Sequence, residues 1–473
     1  MHNSFIFRNF AADFKSTTML KRKFTSVLER YLTEQTNKIL LVNGARQIGK
    51  SYLIRYVGKK LYPHFVEINL QKDKEGPAIF SHVHTTQELY MQVSTIADET
   101  LGNKSDTLIF LDEIQAYPHL LTMLKFLRDE GRYHIIASGS QLGIALAETP
   151  SVPIGSVAIE TMYQLDFEEF LWASGAGQEA IDGMRALFEK RQPLPEGMHR
   201  YILQQFQYYL LVGGLPDAVN HFVASHNMRE VRDIHRDIHE LYRTDASQYD
   251  EARKLMIRRI YDMIPSQLEN KKKRIVYQNI EDKKGKHFAD YQDEFEYLIE
   301  SGITLEVKAV SRPKYPLAES SSKNLLKLYL NDVGLLTYLL YGLNINAVLQ
   351  DERSVNLGTV YESVVAQELR AHGYKLYYYD NKKKGEVDYL INDYSTTQVL
   401  PLEVKSGKDY KEHSALSKFL DEKEYNIHQA IVFSNEPGVW QEKGIWYMPV
   451  YYVMFLQKST AEDIILPILE MPH

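Results

Sequence analysis

The chain has 473 residues, of which 44% are hydrophobic, and carries a formal net charge of −7. This length predicts about two to four domains, and the negative charge excludes a protein that binds nucleic acid over its whole surface. It has no cysteine, which excludes disulfides, zinc fingers and thiol catalysis and is typical of a reducing compartment. No apolar run has the length of a membrane span, so we expect a cytoplasmic protein without a membrane partner.

The first eighteen residues contain several phenylalanines but lack the regions and cleavage site of a signal peptide. Met19 follows them and lies two residues before the start of the basic run at residues 21–23. We therefore separate residues 1–18 as an N-terminal extension and expect the first domain to cover residues 19–173.

A phosphate-binding loop is the most specific motif of this domain. Residues 44–51 match the pattern GxxxxGK[ST], between an apolar run at 39–42 and a helical pattern at 52–57. Glycines let backbone N–H groups surround an anion, and the helix N-terminus adds its positive dipole. We expect Lys50 to contact the terminal phosphates of a nucleotide and the Ser51 hydroxyl to bind Mg²⁺. The predicted nucleotide-binding residues are Gly44, Ala45, Arg46, Gln47, Ile48, Gly49, Lys50 and Ser51.

Four further apolar runs follow, at residues 65–70, 108–111, 134–137 and 157–162. They are mostly rich in Val, Ile, Leu and Phe, and helical stretches separate them. This pattern is typical of strands buried on both faces of a sheet. It predicts an α/β domain with a largely parallel, doubly wound sheet.

Two acidic residues, Asp112 and Glu113, end the strand predicted at 108–111. Ligands bind at the carboxyl ends of strands in open α/β sheets. We expect Asp112 to hold Mg²⁺, usually through water, and Glu113 to polarise the water that attacks the nucleotide. Ser140 follows the next strand, either as a sensor of the γ-phosphate or as an ordinary turn residue.

The phosphate-binding loop, the LDEIQ sequence at 111–115, the Gly-Ser pair at 139–140 and the LDFEEF sequence at 165–170 occur in this order. Together they resemble a family of prokaryotic AAA+ ATPases similar to the STAND class and the origin-recognition clade. The resemblance implies ATP as the ligand and Mg²⁺ as the cofactor. No guanine-reading element (Asn/Thr-Lys-x-Asp) appears, which also favours ATP.

One position departs from that family. The segment before the last strand usually contains Gly-Arg, whereas this chain has Gly155 followed by Ser156. If the arginine stabilises charge during hydrolysis, its loss implies slow turnover or dependence on a neighbouring subunit. Arg128 and Arg132 are substitutes or, alternatively, solvated charges at helix ends.

The middle of the chain is predicted to be mainly helical. Residues 174–191 are a linker or a short helical insert, and 201–210 have helical periodicity up to the Gly-Gly-x-Pro element at 213–216. The resemblance implies that Pro216 lines the adenine pocket. From the residues alone, the element is a corner between two helices. We expect a helical lid over residues 174–250.

Residues 251–318 are predicted to be winged-helix-like, because a helix at 295–299, a turn at 301–302 and a strand at 303–310 follow one another. Basic runs at 271–274 and 283–286 add local positive charge. They either contact the phosphates of DNA or are solvated loop residues.

A second chemical motif lies near the C-terminus. Asp388 lies in an alternating segment at 385–391, and Glu403 and Lys405 lie two residues apart, on one face of another strand. An amphipathic helix at 358–369 carries Glu362. Two carboxylates about 4 Å apart repel by about 4 kcal/mol at a surface-like dielectric. We therefore expect a divalent cation at Asp388 and Glu403, where the lysine orients water or stabilises charge.

This order of residues resembles the PD-(D/E)XK restriction-endonuclease-like fold. Residues 325–336 resemble the uncharacterised C-terminal domain that is fused to the ATPase family. The resemblance implies a nuclease-like α/β domain at 319–473, whose site residues are Glu362, Asp388, Glu403 and Lys405. This domain is either a metal-dependent nuclease or an inert nuclease fold used for binding.

These observations support three functional hypotheses. The first is an ATP-dependent, DNA-processing protein whose nucleotide state controls the nuclease-like domain. The second is a STAND-like switch, in which ATP controls oligomerisation or the capture of a protein partner. The third is a passive DNA-binding module, whose affinity for DNA would not depend on ATP.

Overall fold

The structure is a computed structural model, which describes residues 19–34, 37–97, 101–148, 155–245, 251–270, 273–350, 355–407, 410–411 and 414–458. The predicted extension at 1–18 lies outside these residues. The described residues form a five-stranded and an eight-stranded sheet, together with helices that flank and connect them. None of the helices in these ranges is both long and apolar enough to cross a membrane.

The first sheet is wholly parallel, with strand order β2-β3-β4-β1-β5. Its β3 is buried along its whole length, as expected for a strand covered on both faces. The predicted parallel sheet is thus confirmed. The strands are β1 (Ile39–Asn43), β2 (His64–Asn69), β3 (Thr107–Asp112), β4 (His134–Gly139) and β5 (Val157–Thr161).

Helices cover both faces of this sheet. Successive side chains of a strand point to opposite faces, and β3 contributes Leu108 and Phe110 to one hydrophobic cluster and Ile109 and Leu111 to another. The first cluster includes residues of α1 and α2, and the second includes residues of α4 and α5. The helices are α1 (Phe24–Thr33), α2 (Lys50–Leu61), α3 (Leu70–Glu75), α4 (Thr86–Ala97), α5 (Pro118–Glu130) and α6 (Leu142–Glu148).

A run of helices follows the first sheet. The stretch at 174–191, which the sequence left open as a linker or an insert, contains a full helix, α8, that buries Ile181 and Met184. The Gly-Gly-x-Pro element forms the corner between α9 and α10, and Pro216 begins α10. The helices are α7 (Phe167–Ala173), α8 (Gln178–Glu189), α9 (Glu196–Val212), α10 (Pro216–Ser225) and α11 (Met228–Asp245).

The second sheet is mixed, with strand order β12-β13-β11-β10-β9-β8-β6-β7. Strand β10 pairs antiparallel with β9 and parallel with β11. Its strands are β6 (Thr304–Val310), β7 (Ser321–Leu330), β8 (Leu376–Asn381), β9 (Gly385–Asp393), β10 (Gln398–Val404), β11 (Ala430–Ser434), β12 (Trp440–Glu442) and β13 (Ile445–Pro449). The helices of this part are α12 (Glu251–Leu268), α13 (Gln278–Glu281), α14 (Gln292–Glu300), α15 (Val333–Tyr341), α16 (Asn346–Leu349), α17 (Leu357–Ala371) and α18 (Ser414–Leu420).

The helix, turn and strand expected for a winged-helix-like unit are present, but the strand belongs to the eight-stranded sheet. Strand β6 follows α14, as the pattern predicts, yet it pairs antiparallel with β7 and parallel with β8. Its Leu305 and Val307 are buried in the hydrophobic cluster that the C-terminal strands share. The second sheet therefore crosses the boundary placed after residue 318.

One hydrophobic cluster connects the two sheets. It extends from Leu40 in β1 through Tyr209 in α9 and Val364 in α17 to Ile391 in β9. A buried carboxylate supports this junction, because Glu368 of α17 accepts hydrogen bonds from the backbone N–H of Phe167 at 2.9 Å and from the Tyr209 hydroxyl at 3.1 Å. Helix α9 thus contributes to the cluster that joins the two sheets.

Candidate nucleotide site

The loop between β1 and α2 has the backbone of an anion-binding loop. Gly44 (φ 148°) and Gly49 (φ 88°) both adopt conformations that favour glycine. A Cβ on Gly44 would lie 2.4 Å from the carbonyl oxygen of Met162, so a side chain cannot fit there. Gly49 is the N-cap residue of α2, whose N-terminus opens on the loop.

Lys50, the first residue of α2, is buried under this loop. Its ammonium group donates hydrogen bonds to the carbonyl oxygens of Gly44 and Ala45, each at 2.8 Å. Burial lowers the pKa of Lys50 to about 8, against the opposing effect of the Glu113 and Asp112 carboxylates. A nucleotide phosphate in the loop would add negative charge beside Lys50 and would stabilise its protonated form.

The predicted metal ligands lie next to each other. The Ser51 hydroxyl donates a 2.9 Å hydrogen bond to Asp112 at the end of β3. Asn69 of β2 donates to the same carboxylate at 3.1 Å, and Ser138 of β4 donates to its other oxygen. Burial raises the pKa of Asp112, whereas the hydrogen bonds from Ser138 and Ser51 lower it. The sequence interpretation missed Asn69 and Ser138, although both end strands that neighbour β3.

This oxygen set fits Mg²⁺ bound with a nucleotide. Mg²⁺ is typically held by one or two protein oxygens together with phosphate oxygens and water. Among the described residues, no group of three or more His, Asp or Glu side chains is arranged to hold a metal ion. Ser51 and Asp112 therefore match a site that the nucleotide completes, rather than a cage built by the protein alone.

Glu113 and Ser140 meet at the same edge of the sheet. Glu113 has a left-handed backbone (φ 56°), which is uncommon outside glycine, and Gln115 hydrogen-bonds to its carboxylate. The Ser140 hydroxyl lies 3.4 Å from a Glu113 oxygen. The general base and the γ-phosphate sensor expected from the sequence are therefore neighbours, beside the loop.

Arg46, at the third position of the loop, forms an ion pair with Asp245 at the end of α11. Its Nε also lies 3.4 Å from the Ser140 hydroxyl, and the Tyr242 hydroxyl donates to its carbonyl oxygen at 3.0 Å. Burial raises the pKa of Asp245 to about 6, although Arg46 opposes the change. No local sequence pattern indicates Asp245 as a partner of the loop, because it lies 199 residues from Arg46.

Pro216, for which the resemblance implies a place in the adenine pocket, lies against the phosphate-binding loop. A Cβ on Gly49 would lie 3.6 Å from Pro216 Cγ. The corner that carries Pro216 is tied to the segment between β5 and α7, because Leu165 N–H donates to the Gly214 carbonyl oxygen at 2.8 Å. Pro216 and its corner are therefore held beside the phosphate-binding loop.

A buried arginine that the sequence interpretation missed supports the loop from behind. Arg22 donates to the carbonyl oxygens of Ile48 at 3.1 Å and Tyr163 at 2.6 Å, and pairs with Glu169. The next residue, Lys23, pairs with Asp166 at 2.6 Å. The acidic residues of the LDFEEF sequence were a signal for these contacts, since buried carboxylates need cations.

The residues considered for an arginine finger lie at the wrong edge of the sheet. Arg128 and Arg132 precede β4, and Ser156 precedes β5, whereas the loop follows β1 at the opposite, carboxyl edge. Arg128 pairs with Asp129, and the Arg132 guanidinium lies 5.2 Å from the ring centre of Tyr90. Neither arginine reaches the phosphate-binding loop of its own chain, because the parallel sheet separates them from it.

The four residues predicted as a second site come together in the C-terminal sheet. Lys405 donates to Glu403 at 2.9 Å, and Asp388 accepts a 2.9 Å hydrogen bond from the backbone N–H of Val404. The pKa of Asp388 is raised well above its usual range, mainly by burial and to a smaller extent by the Glu403 and Glu362 carboxylates. One Glu403 oxygen is buried and has no hydrogen-bond partner.

Two lysines missed by the sequence interpretation lie in the same cluster. Lys273 pairs with Glu362, and the fully buried Lys327 of β7 pairs with Glu386. Both cations lower the pKa of Asp388. The sequence predicted that a divalent cation balances these carboxylates. In the structure, the ammonium groups of Lys273 and Lys327 supply positive charge there.

The basic runs considered for DNA contact are mostly ion-paired. Arg274 lies 3.7 Å from Asp380, and Lys283 and Lys286 both pair with Glu281. Lys273 points into the carboxylate cluster. Residues 271 and 272 lie outside the described residues. These contacts favour a structural role for the described basic residues.

Comparison with known proteins identifies the first domain. Residues 36–171 match a family model described as "AAA domain". Residues 203–347 and 357–453 match two further models, described as domains of unknown function DUF8612 and DUF4143. The chain therefore carries an AAA-type P-loop ATPase domain, as the motifs predicted, while the other two matches name no activity.

Individual relatives are distant. Uncharacterized protein MJ1637 of Methanocaldococcus jannaschii is 23% identical over 249 residues, which cover 48% of this chain and 50% of that protein. The chain thus matches about half the length of this relative. The match to the Walker-type ATPase of Pyrococcus abyssi (14% identical, TM-score 0.43) covers 68% of this chain and 96% of the ATPase chain. The match to the Aeropyrum pernix ORC1 protein in complex with DNA (14% identical, TM-score 0.30) covers 68% of this chain and 91% of the ORC1 chain. Likeness at this level carries no argument about activity.

Proposed function

We propose that this chain is a slow, Mg²⁺-dependent ATPase whose nucleotide state controls its C-terminal domain. The observation that carries the proposal is the convergence of Lys50, Ser51, Asp112 and Glu113 at one edge of the parallel sheet. Each has the neighbour that its proposed role needs. Ser51 contacts Asp112, Lys50 lies under the loop, and Glu113 lies beside Ser140.

Hydrolysis at this site needs a base and a stabilised phosphate. Glu113 accepts a proton from water while the water oxygen attacks the γ-phosphorus, and the bond from phosphorus to the β–γ bridging oxygen breaks, releasing ADP and phosphate. Ser51 and Asp112 would hold Mg²⁺, which neutralises charge on the phosphate oxygens. Lys50 balances the charge of the terminal phosphates, and the Ser140 hydroxyl donates to the transferred group.

A continuous path of contacts supports control of the C-terminal domain. Pro216 lies against Gly49 of the loop. Two residues earlier, the backbone N–H of Gly214 donates to Asp332, which follows β7 of the second sheet. A nucleotide that shifts the lid corner would therefore also shift the residue that caps α15, just after β7 of that sheet.

Nucleotide titration tests the first half of the proposal. Lys50→Ala removes a charged contact with the phosphates and should weaken ATP binding about 10- to 100-fold. Lys60→Ala is the matched control, because Lys60 lies at the other end of α2 and pairs on the surface with Glu29. Equal ATP affinity of wild type and Lys50→Ala would contradict the proposal.

Metal-dependent nuclease activity is a second candidate function. The observation that favours it is the unpartnered oxygen of Glu403 beside Asp388 and Lys405. The protein is incubated with Mg²⁺ or Mn²⁺ and with single- and double-stranded DNA and RNA. Cleavage that Asp388→Ala and Glu403→Ala abolish, but Glu442→Ala on the exposed strand β12 does not, supports the nuclease.

Inertness towards all substrates instead favours a switch without nuclease chemistry. In that case ATP controls oligomerisation or partner capture. Sizing of the protein with ADP and with a non-hydrolysable ATP analogue then distinguishes assembly from a purely internal change.

A further inference from the structure

Arg46 brings a guanidinium to the catalytic edge of the sheet from within the phosphate-binding loop itself. Resting on the proposed ATPase function, we propose that Arg46 supplies in cis the positive charge that stabilises the γ-phosphate during hydrolysis. We further propose that Asp245 competes with the phosphate for this guanidinium. The pair then acts as a latch that the γ-phosphate opens.

The position of the Arg46 side chain supports the first part. Its Nε lies 3.4 Å from the Ser140 hydroxyl, and that hydroxyl lies 3.4 Å from Glu113. The guanidinium is therefore on the side of the loop where the base and the sensor lie. A guanidinium suits this role, because its forked donors match phosphate oxygens and it stays charged.

The other candidate positions either lie at the opposite edge of the sheet or carry an arginine that is already paired. Arg128 and Arg132 precede β4 and therefore lie at the amino edge of the sheet. Position 156 directly precedes β5 and lies at the same edge. Arg22 contacts the loop, but its guanidinium is occupied by two backbone carbonyl oxygens and Glu169. Arg46 is thus the arginine of the loop that faces Glu113 and Ser140.

The surroundings of Asp245 support the latch. Asp245 ends α11, and its carbonyl oxygen accepts a 2.9 Å hydrogen bond from the Tyr297 hydroxyl of α14. Gln141, next to Ser140, donates to the same Tyr297 hydroxyl at 2.8 Å. The Arg46–Asp245 ion pair therefore connects the loop to α11 and, through Tyr297, to α14.

Helix α14 leads directly into β6 of the second sheet. A γ-phosphate carries more negative charge than a carboxylate and accepts two parallel hydrogen bonds from a guanidinium. When Arg46 turns to the phosphate, Asp245 loses its partner and α11 loses one of its contacts with the loop. ADP lacks the γ-phosphate, so the ion pair re-forms after hydrolysis.

Kinetics and binding together test this inference. Arg46→Ala should lower kcat roughly 100-fold or more while leaving ADP affinity unchanged, because ADP lacks the group that Arg46 contacts. Arg46→Lys keeps the charge but loses the fork, so it should recover only part of the rate. Asp245→Asn removes the competitor and should raise kcat roughly two- to fivefold. Arg128→Ala is the control and should match wild type.

The outcomes separate the inference from the function on which it rests. A wild-type protein that neither binds nor hydrolyses ATP overturns the proposed ATPase function. An active wild type with an equally active Arg46→Ala variant overturns only the role of Arg46. Equal loss of ADP and ATP binding in Arg46→Ala assigns the residue to loop structure, which also overturns it. A fall in kcat in Asp245→Asn overturns the latch.

Discussion

The carboxylate of Asp332 accepts a hydrogen bond from the backbone N–H of Gly214 at 2.7 Å. The same side chain caps α15 by accepting from Leu335 N–H at 3.0 Å. One buried residue therefore holds both the lid corner before Pro216 and the first turn of the helix that follows β7. This contact connects the corner beside the phosphate-binding loop to the segment that follows β7 of the second sheet.

The burial of Asp332 makes the stability of the protein depend on pH. Burial raises the pKa of Asp332 to about 6 from 3.8. The folded state thus keeps the proton to a higher pH than the unfolded state. This contribution to stability is complete below pH 4 and is lost as the pH rises through 6.

We therefore expect the free energy of unfolding of the wild type to fall, relative to Asp332→Asn, by about 3 kcal/mol between pH 3 and pH 7. Denaturant unfolding of both proteins at each pH measures the difference. The comparison cancels the other titrating groups, which the two proteins share. Parallel stability profiles would show that Asp332 does not titrate in this range.

Gly214 has no room for a side chain. A Cβ at this position would lie 2.0 Å from the backbone oxygen of Leu165. Gly214→Ala must therefore displace the lid corner, and we expect a loss of about 1–3 kcal/mol in the free energy of unfolding, with weaker ATP binding. Gly183→Ala is the control, because its Cβ meets nothing within 4 Å and alanine favours the helix. Unchanged nucleotide affinity in Gly214→Ala would show that the position of the lid corner does not affect nucleotide binding.

Lys327 is the central cation of the C-terminal cluster. It is fully buried, and the nearby carboxylates of Glu386, Glu362 and Asp388 raise its pKa against the effect of burial. Lys327→Ala would leave buried carboxylates uncompensated, so we expect a loss of about 3–5 kcal/mol in unfolding free energy. Lys308→Ala, which breaks a half-exposed pair with Glu306 on β6, should cost less than about 1 kcal/mol. Equal costs for the two variants would contradict the role of Lys327.

The local motifs of the nucleotide site could be predicted because they are continuous in sequence. The loop, Asp112, Glu113 and the strands before them are set by patterns of a few residues, and the structure brings them to one edge. Asp245 and Lys327 could not be predicted, because their partners lie 199 and 59 residues away. Nothing in the local pattern shows which distant charge a buried ion pair will use.

Strand β6 illustrates the same limit. A helix, a tight turn and a strand are local features, and the sequence located all three. The partner of the strand depends on β7 and β8, which follow it in the chain. The pattern is common to a winged helix and to this sheet, so only the long-range pairing distinguishes them.

Phosphate release from Mg·ATP by wild type and Glu113→Gln tests the central claim most directly. Glutamine keeps the shape of the side chain but cannot accept the proton from water. We expect both proteins to bind ATP, and the variant to release phosphate at least about 100-fold more slowly. Glu179→Gln, at the exposed start of α8, should behave as wild type. Equal phosphate release by wild type and Glu113→Gln would contradict the account.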